Sequence, residues 1–170
     1  YSLAIRYFSL KKFNEAEKIF KTVIQIQPNA ENYFIYGNIH KQLQNFDEAA
    51  KSFEEAINLK SDYSEAYNNL GNIKKKLGFT NEAIKNYQKA IDKRKNNLQA
   101  YFNLAFLYNE EKKFDELKKV LQAVLNFDEN NTTALNDLGY LNLILGNIDE
   151  GRKLFEKVLN IDDKHVRAFK

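Results

Sequence analysis

The chain repeats itself with a period of 34 residues. Gly37, Gly71, Ala105 and Gly139 are spaced by 34, and each follows a large residue: Tyr36, Leu70, Leu104 and Leu138. A second column holds Ala49 and Ala83, with Leu117 and Gly151 varying it. Four residues later stand Phe53, Tyr87, Leu121 and Phe155, and three further on Ala56, Ala90, Val124 and Val158. A unit this short cannot bury its apolar face alone, so a sustained repeat demands stacking of neighbours instead of one closed core. The boundaries are a partial unit at 1–29, full units at 30–63, 64–97, 98–131 and 132–165, and the start of a further helix at 166–170. The first unit keeps the frame with Ala4, Ala16, Phe20 and Val23, before a one-residue shortening around Asn29 to Glu31. No Gly, Ser or Pro cluster interrupts the units, so a single array over 1–170 is expected.

Within each unit the apolar spacing is helical. Tyr67, Leu70, Gly71, Lys74 and Leu77 fall at three- and four-residue intervals, as do Ala83, Ile84, Tyr87, Ala90 and Ile91. Two short amphipathic helices, A and B, follow, and nothing supports strands. Gly78 suits the end of helix A, Thr80 and Asn81 are candidates to cap helix B, and Ser64 to cap the next helix A. The small residue at the eighth place of helix A lets helix B approach closely, beside a bulky Phe53 or Tyr87.

Composition removes several classes of function. Without cysteine there is no disulfide scaffold, zinc ribbon or thiol nucleophile. The apolar runs are too short to insert in a membrane. Lys and Arg number 26 against 23 Asp and Glu, with no basic stripe, so no nucleic-acid partner is expected. The 22 Asn, with abundant Lys, Ile, Phe and Tyr, match A/T-rich codon usage, which discounts any single Asn. The chain opens at Tyr1 without an initiator Met or signal segment and reads as a piece of something longer. Its compartment is left open, with the cytoplasm as default.

The run Ala66-Tyr67-Asn68-Asn69-Leu70-Gly71-Asn72, continued by Asn81-Glu82-Ala83-Ile84, Tyr87 and Ala90-Ile91, resembles the tetratricopeptide repeat. The resemblance covers essentially the whole chain. Only Pro28 occupies the customary interhelix proline place, where later units carry Ser61, Lys95, Glu129 and Asp163. The resemblance implies an all-α solenoid, a right-handed superhelix of helix-turn-helix repeats with helix A lining the concave side. It also implies a non-catalytic scaffold for protein-protein interaction, binding an extended peptide or a partner helix in that groove. The alternatives are a substrate-recruiting region of a larger enzyme such as a glycosyltransferase, and a self-assembling platform joined through uncapped ends, since both termini fall inside units.

By the same resemblance, the groove-facing places supply the candidate peptide-binding residues Phe34, Asn38, Asn69, Asn72, Phe102, Asn103, Phe106, Asp137 and Tyr140, with Asn68, Lys41, Lys75 and Lys76 also placed there. Asn69, Asn103 and Asp137 hold equivalent places, and Asn38 with Asn72 a second column. An amide presents both donor and acceptor, so such a row suits the main chain of an extended peptide while aromatics receive its side chains. The segment Asn69-Leu70-Gly71-Asn72 resembles the repeats of O-linked N-acetylglucosamine transferase, whose asparagine ladder holds protein substrates. Codon usage with solvated helix faces is the competing reading. The carboxylate clamp of chaperone-binding repeats fits poorly: Asn38 and Asn69 match, but its three cations are replaced by Phe34, Gln99 and Asn103. Phe106, Tyr140, Leu143 and Ile144 make the later groove the more apolar part.

No other constellation carries chemistry. His40 and His165 lie far apart, and His40 takes a packing place held by Tyr108 in another unit, so no metal site is expected. The glycines are at packing and turn places and form no phosphate loop. Lys74, Lys75 and Lys76 are read as a solvated face without a second basic cluster beside it. Asp115 and Glu116 fit the dipole at a helix start. No catalytic residue and no cofactor is expected.

Overall fold

In the computed structural model, residues 2–168 are described, with side chains from 6 to 161. The chain is all-α, with α1 (Ser2–Ser9), α2 (Phe13–Ile26), α3 (Ala30–Gln42), α4 (Phe46–Leu59), α5 (Ser64–Lys76), α6 (Thr80–Lys93), α7 (Leu98–Glu110), α8 (Phe114–Phe127), α9 (Thr132–Ile144) and α10 (Ile148–Ala168). Consecutive helices pair as helix-turn-helix repeats, the odd-numbered helix being A and the even-numbered B. The backbone divides into two compact units, Tyr1–Ala100 and Tyr101–Lys170.

In the first unit, each apolar cluster draws on helix B of one repeat and helix A of the next. Ala16 and Phe20 of α2 meet Ile39 of α3. Ala49, Ala50 and Phe53 of α4 meet Leu70 and Ile73 of α5. Ala90 of α6 packs with Tyr67 and Ala100. The core therefore runs through the repeats, as stacking requires. In the second unit, Leu117, Leu121 and Val124 of α8 and Leu135, Leu138 and Leu141 of α9 are buried in the same places.

Inside each hairpin the small-residue column sets the distance between helices. A Cβ built on Gly71 would lie 2.6 Å from the Tyr87 ring; on Gly37 it would lie 2.7 Å from Phe53, and on Gly139 2.8 Å from Phe155. The hydrogen of glycine is the only side chain these faces admit. Where the column carries Ala105, the opposing residue is Leu121, which is fully buried. The change in size on one helix is thus matched by a change of shape on the other.

The turns obey the same period. Lys11, Gln44, Gly78, Lys112 and Gly146 all have positive φ, between 55° and 83°. In the third repeat the Gly78 N–H bonds to the Lys75 carbonyl and the Phe79 N–H to the Lys74 carbonyl, both at 2.9–3.0 Å. This pair closes a Schellman turn around one left-handed residue. A Cβ at Gly78 would meet nothing within 4 Å, so its requirement is conformational, whereas that of Gly71 is steric.

Two local expectations are corrected. Thr80, Asn81 and Ser64 do not cap: α5 and α6 begin after Tyr63 and Phe79, and neither start has a side-chain cap. Ser64 Oγ instead donates to the Ala90 carbonyl at 2.7 Å and accepts from Asn97 Nδ2 at 2.8 Å. The caps are asparagines. Asn29 accepts from the Asn32 N–H, Asn97 from the Ala100 N–H and Asn131 from the Ala134 N–H. They share one column of the repeat, interrupted at Tyr63, where Ser64 ties the helix start to its neighbours. The second correction concerns the break expected before residue 166: α10 continues to Ala168. After Gly151 it contains neither Gly nor Pro to stop it.

Gly71→Leu is expected to lower the unfolding free energy by about 1–3 kcal/mol through overpacking. Gly71→Ala together with Tyr87→Leu reproduces the Ala105/Leu121 pair and should be less damaging than the two single changes summed. Gly78→Ala should cost about 1 kcal/mol and gain nothing from Tyr87→Leu. Urea denaturation of the six single and double variants checks all three, and an unchanged midpoint for Gly71→Leu would refute the packing register.

Candidate functional site

Helix B packs one face between its own helix A and the next one and turns the other, carrying residues such as Lys85 and Asp92, to solvent; the candidate recognition residues lie on the outer face of helix A. The two units furnish that face differently. In the first, the amides engage one another and the core. Asn69 Nδ2 donates to Asn38 Oδ1 at 3.0 Å, and Asn72 Oδ1 accepts from Tyr87 Oη at 2.8 Å. Asn38 keeps its Nδ2 donors and Asn69 its Oδ1 acceptor for other partners. Phe34 is half-buried, with its ring 4.9 Å from Tyr63 and 5.7 Å from Phe53, so it serves the core at least as much as a groove. Asn68, placed in the groove by sequence register, is buried.

The lysines of this unit also differ from the sequence reading. Lys74 does not belong to a solvated run. Its Nζ lies 3.2 Å from Glu54 and 3.1 Å from Glu82. Burial by itself would lower its pKa, but the hydrogen bonds it donates to Glu82 and Glu54 outweigh that and raise it. Lys75 and Lys76 turn instead into a cleft shared with Lys41, one repeat earlier on α3. Lys41 is the second basic element that sequence spacing did not bring beside the run, and burial lowers its pKa.

In the second unit, four of the candidate residues converge. Phe102 and Phe106 from α7 and Asp137 and Tyr140 from α9 line a concave pocket of about 440 Å³, floored by Ala105, Leu117 and Leu141. Phe106 is 49% exposed, Tyr140 62% and Ile144, at the rim, 63%. The Tyr140 ring stands edge-on to Phe155 at 5.1 Å, which fixes its orientation while leaving it open to solvent. Asn103 is half-buried and is absent from the pocket wall. Leu117 was missed as a site residue because it appeared only as a departure from the small helix-B column; its bulk builds the floor.

Asp137 is the one charged residue on this wall. Among the described residues no hydrogen bond or ion pair engages its carboxylate. It reaches solvent on one side, and burial on the other raises its pKa above the ordinary aspartate value.

Comparison with known proteins bears on the repeats and the fold. One tetratricopeptide repeat profile matches residues 1–29, 98–131 and 132–165, and a second TPR profile matches 37–78 and 72–112. The chain belongs to the tetratricopeptide repeat family. Among solved structures it is similar to MamA, with a TM-score of 0.85 and 22% identity over 96% of each chain. It is similar to YrrB, described as a TPR protein with an unusual peptide-binding site, with a TM-score of 0.74 and 20% identity over 99% of this chain and 87% of that one. A third is PilF of Pseudomonas aeruginosa, with a TM-score of 0.76 and 15% identity over 94% of this chain and 73% of that one. At these identities the likeness concerns the fold.

The repeat register also explains His40. It occupies the helix-A place of Lys74, Tyr108 and Asn142, is buried, and packs edge-on against Tyr36 at 4.4 Å. Neither ring nitrogen has a hydrogen-bond partner. Among the described residues no cluster of potential metal ligands forms, and the His165 side chain lies outside them. Burial lowers the His40 pKa, opposed by Glu17 of α2 and Glu48 of α4. Tyr36 Oη donates to Glu17 Oε1 at 3.1 Å, and burial followed by the Glu17 charge pushes the phenol up to about 12. A base whose pKa is lowered on folding binds fewer protons in the folded state. Its contribution is complete above the ordinary value of 6.5 and is lost as pH falls below it. His40→Phe is therefore expected to reduce the fall in melting temperature between pH 8 and pH 5.5; an equal fall in both proteins would contradict the assignment.

Proposed function

We propose that this tetratricopeptide repeat chain is a non-catalytic protein-binding scaffold that holds an extended peptide against the outer face of helix A. The observation that carries this reading is the pocket around Phe102, Phe106, Asp137 and Tyr140. Three aromatic side chains line it on the helix face that packing leaves free, and two of them are strongly exposed. Aromatics held in place beside a few polar groups, here Asn109, Thr133 and Asp137, are the usual composition of a peptide subsite. In the first unit, the remaining amide valences of Asn38 and Asn69, together with Asn72, suit main-chain groups of an extended ligand. YrrB, similar in fold, is described as having a peptide-binding site, which favours a peptide over a small molecule.

The narrower likeness to glycosyltransferase repeats, and with it a substrate-recruiting role, draws on Asn69-Leu70-Gly71-Asn72. There Asn69 and Asn72 bond to Asn38 and Tyr87. The general scaffold is the simpler reading of amides tied this way.

Selection of a random peptide library on the immobilised 170-residue chain tests the proposal. Peptides enriched on the parent and lost on the Phe106→Ala, Tyr140→Ala double variant, at unchanged helicity, are the expected result. Equal enrichment on both proteins would remove the pocket from the function.

A further inference from the structure

Resting on the scaffold reading, we infer that the pocket between α7 and α9 selects a basic side chain, arginine or lysine, from the bound peptide. The pocket joins three aromatic faces, Phe102, Phe106 and Tyr140, to a single carboxylate, Asp137, and no other charged residue lines it. No lysine or arginine of the described chain pairs with that carboxylate.

Charge complementarity decides among occupants. An acidic side chain would be repelled by Asp137. An apolar side chain would satisfy the aromatic walls but strip further water from an unpaired carboxylate, an unfavourable change. A cation satisfies both: its charge meets Asp137, its donors reach the carboxylate oxygens, and its face or methylenes lie on the aromatic rings. The guanidinium is planar and weakly hydrated, which suits a stacked position beside a carboxylate. Discrimination thus comes from a group that penalises the wrong ligand as well as from walls that welcome the right one. In this repeat register Asp137 stands where the earlier units carry Ile35, Asn69 and Asn103, so the selectivity belongs to this pocket and not to the repeat in general.

The test uses two blocked amino acids, N-acetyl-arginine amide and N-acetyl-norleucine amide, titrated into the isotope-labelled 170-residue chain and followed by amide NMR shifts. The arginine probe is expected to shift the backbone amides of Asn109, Asp137 and Tyr140 and to bind about tenfold more weakly to Asp137→Asn, as loss of a cation–carboxylate contact implies. The norleucine probe should be indifferent to the substitution. Retained amide dispersion in Asp137→Asn confirms that the variant folds. Equal affinity for the two probes, an arginine affinity unchanged by Asp137→Asn, or no shift at these amides would each overturn the inference. The two readings separate in the peptide selection. Peptides that depend on Phe106 and Tyr140 but carry no basic residue overturn the selectivity and leave the scaffold standing. With no peptide enriched, the scaffold reading fails, and the amino-acid probes still decide what the pocket accepts.

Discussion

The approach of helix A to helix B at the eighth place of each repeat is the constraint on which the rest of the structure depends. Gly37 against Phe53, Gly71 against Tyr87 and Gly139 against Phe155 leave no room for a Cβ. An aromatic side chain seated directly on a neighbouring backbone gains contacts along a whole ring face. It also fixes the rotation of helix A, because only one face carries the small residue. Once that rotation is set, which residues point to the next repeat and which to solvent is settled for every unit.

This division explains how one architecture carries unlike surfaces. The Gly and Ala column of helix A varies little in size, and where it varies the facing residue of helix B varies with it, as Ala105 with Leu121. The outer face varies more widely. At one helix-A place it reads Lys41, Lys75, Asn109 and Leu143, a change from basic to apolar that in the last repeat is matched by Gly151, where a Cβ would lie 2.9 Å from the Leu143 side chain. The first unit accordingly presents a cleft with three lysines, and the second an aromatic pocket around one aspartate.

Much of the fold was legible in the sequence because the repeat averages over local ambiguity. The period located the hairpins, and the starts of α3, α5, α7 and α9 fall at Ala30, Ser64, Leu98 and Thr132. Capping was not legible. Ser and Thr near a helix start look like caps, yet Ser64 bonds across repeats. Asparagine, discounted because it is so abundant, supplies the caps at Asn29, Asn97 and Asn131. The non-glycine left-handed residues Lys11, Gln44 and Lys112 carry no local signal either; only their alignment with Gly78 and Gly146 marks the turn. Of the site, register placed Phe102, Phe106, Asp137 and Tyr140 on one face, but their convergence depends on the separation of α7 and α9. The pairing of Asn38 with Asn69 and the meeting of Lys41 with Lys75 and Lys76 are likewise products of stacking, which no single repeat encodes.

The proposed binding surface is the outer face of helix A, with one face of helix B serving the packing between repeats. Amide hydrogen exchange of the 170-residue chain, with and without a peptide selected on it, tests this most directly. The account predicts added protection in α7 and α9, centred on the turns that carry Phe106, Asp137 and Tyr140, with α8 unchanged. Protection gained chiefly in α8 or α10, with α7 and α9 unaltered, would contradict it.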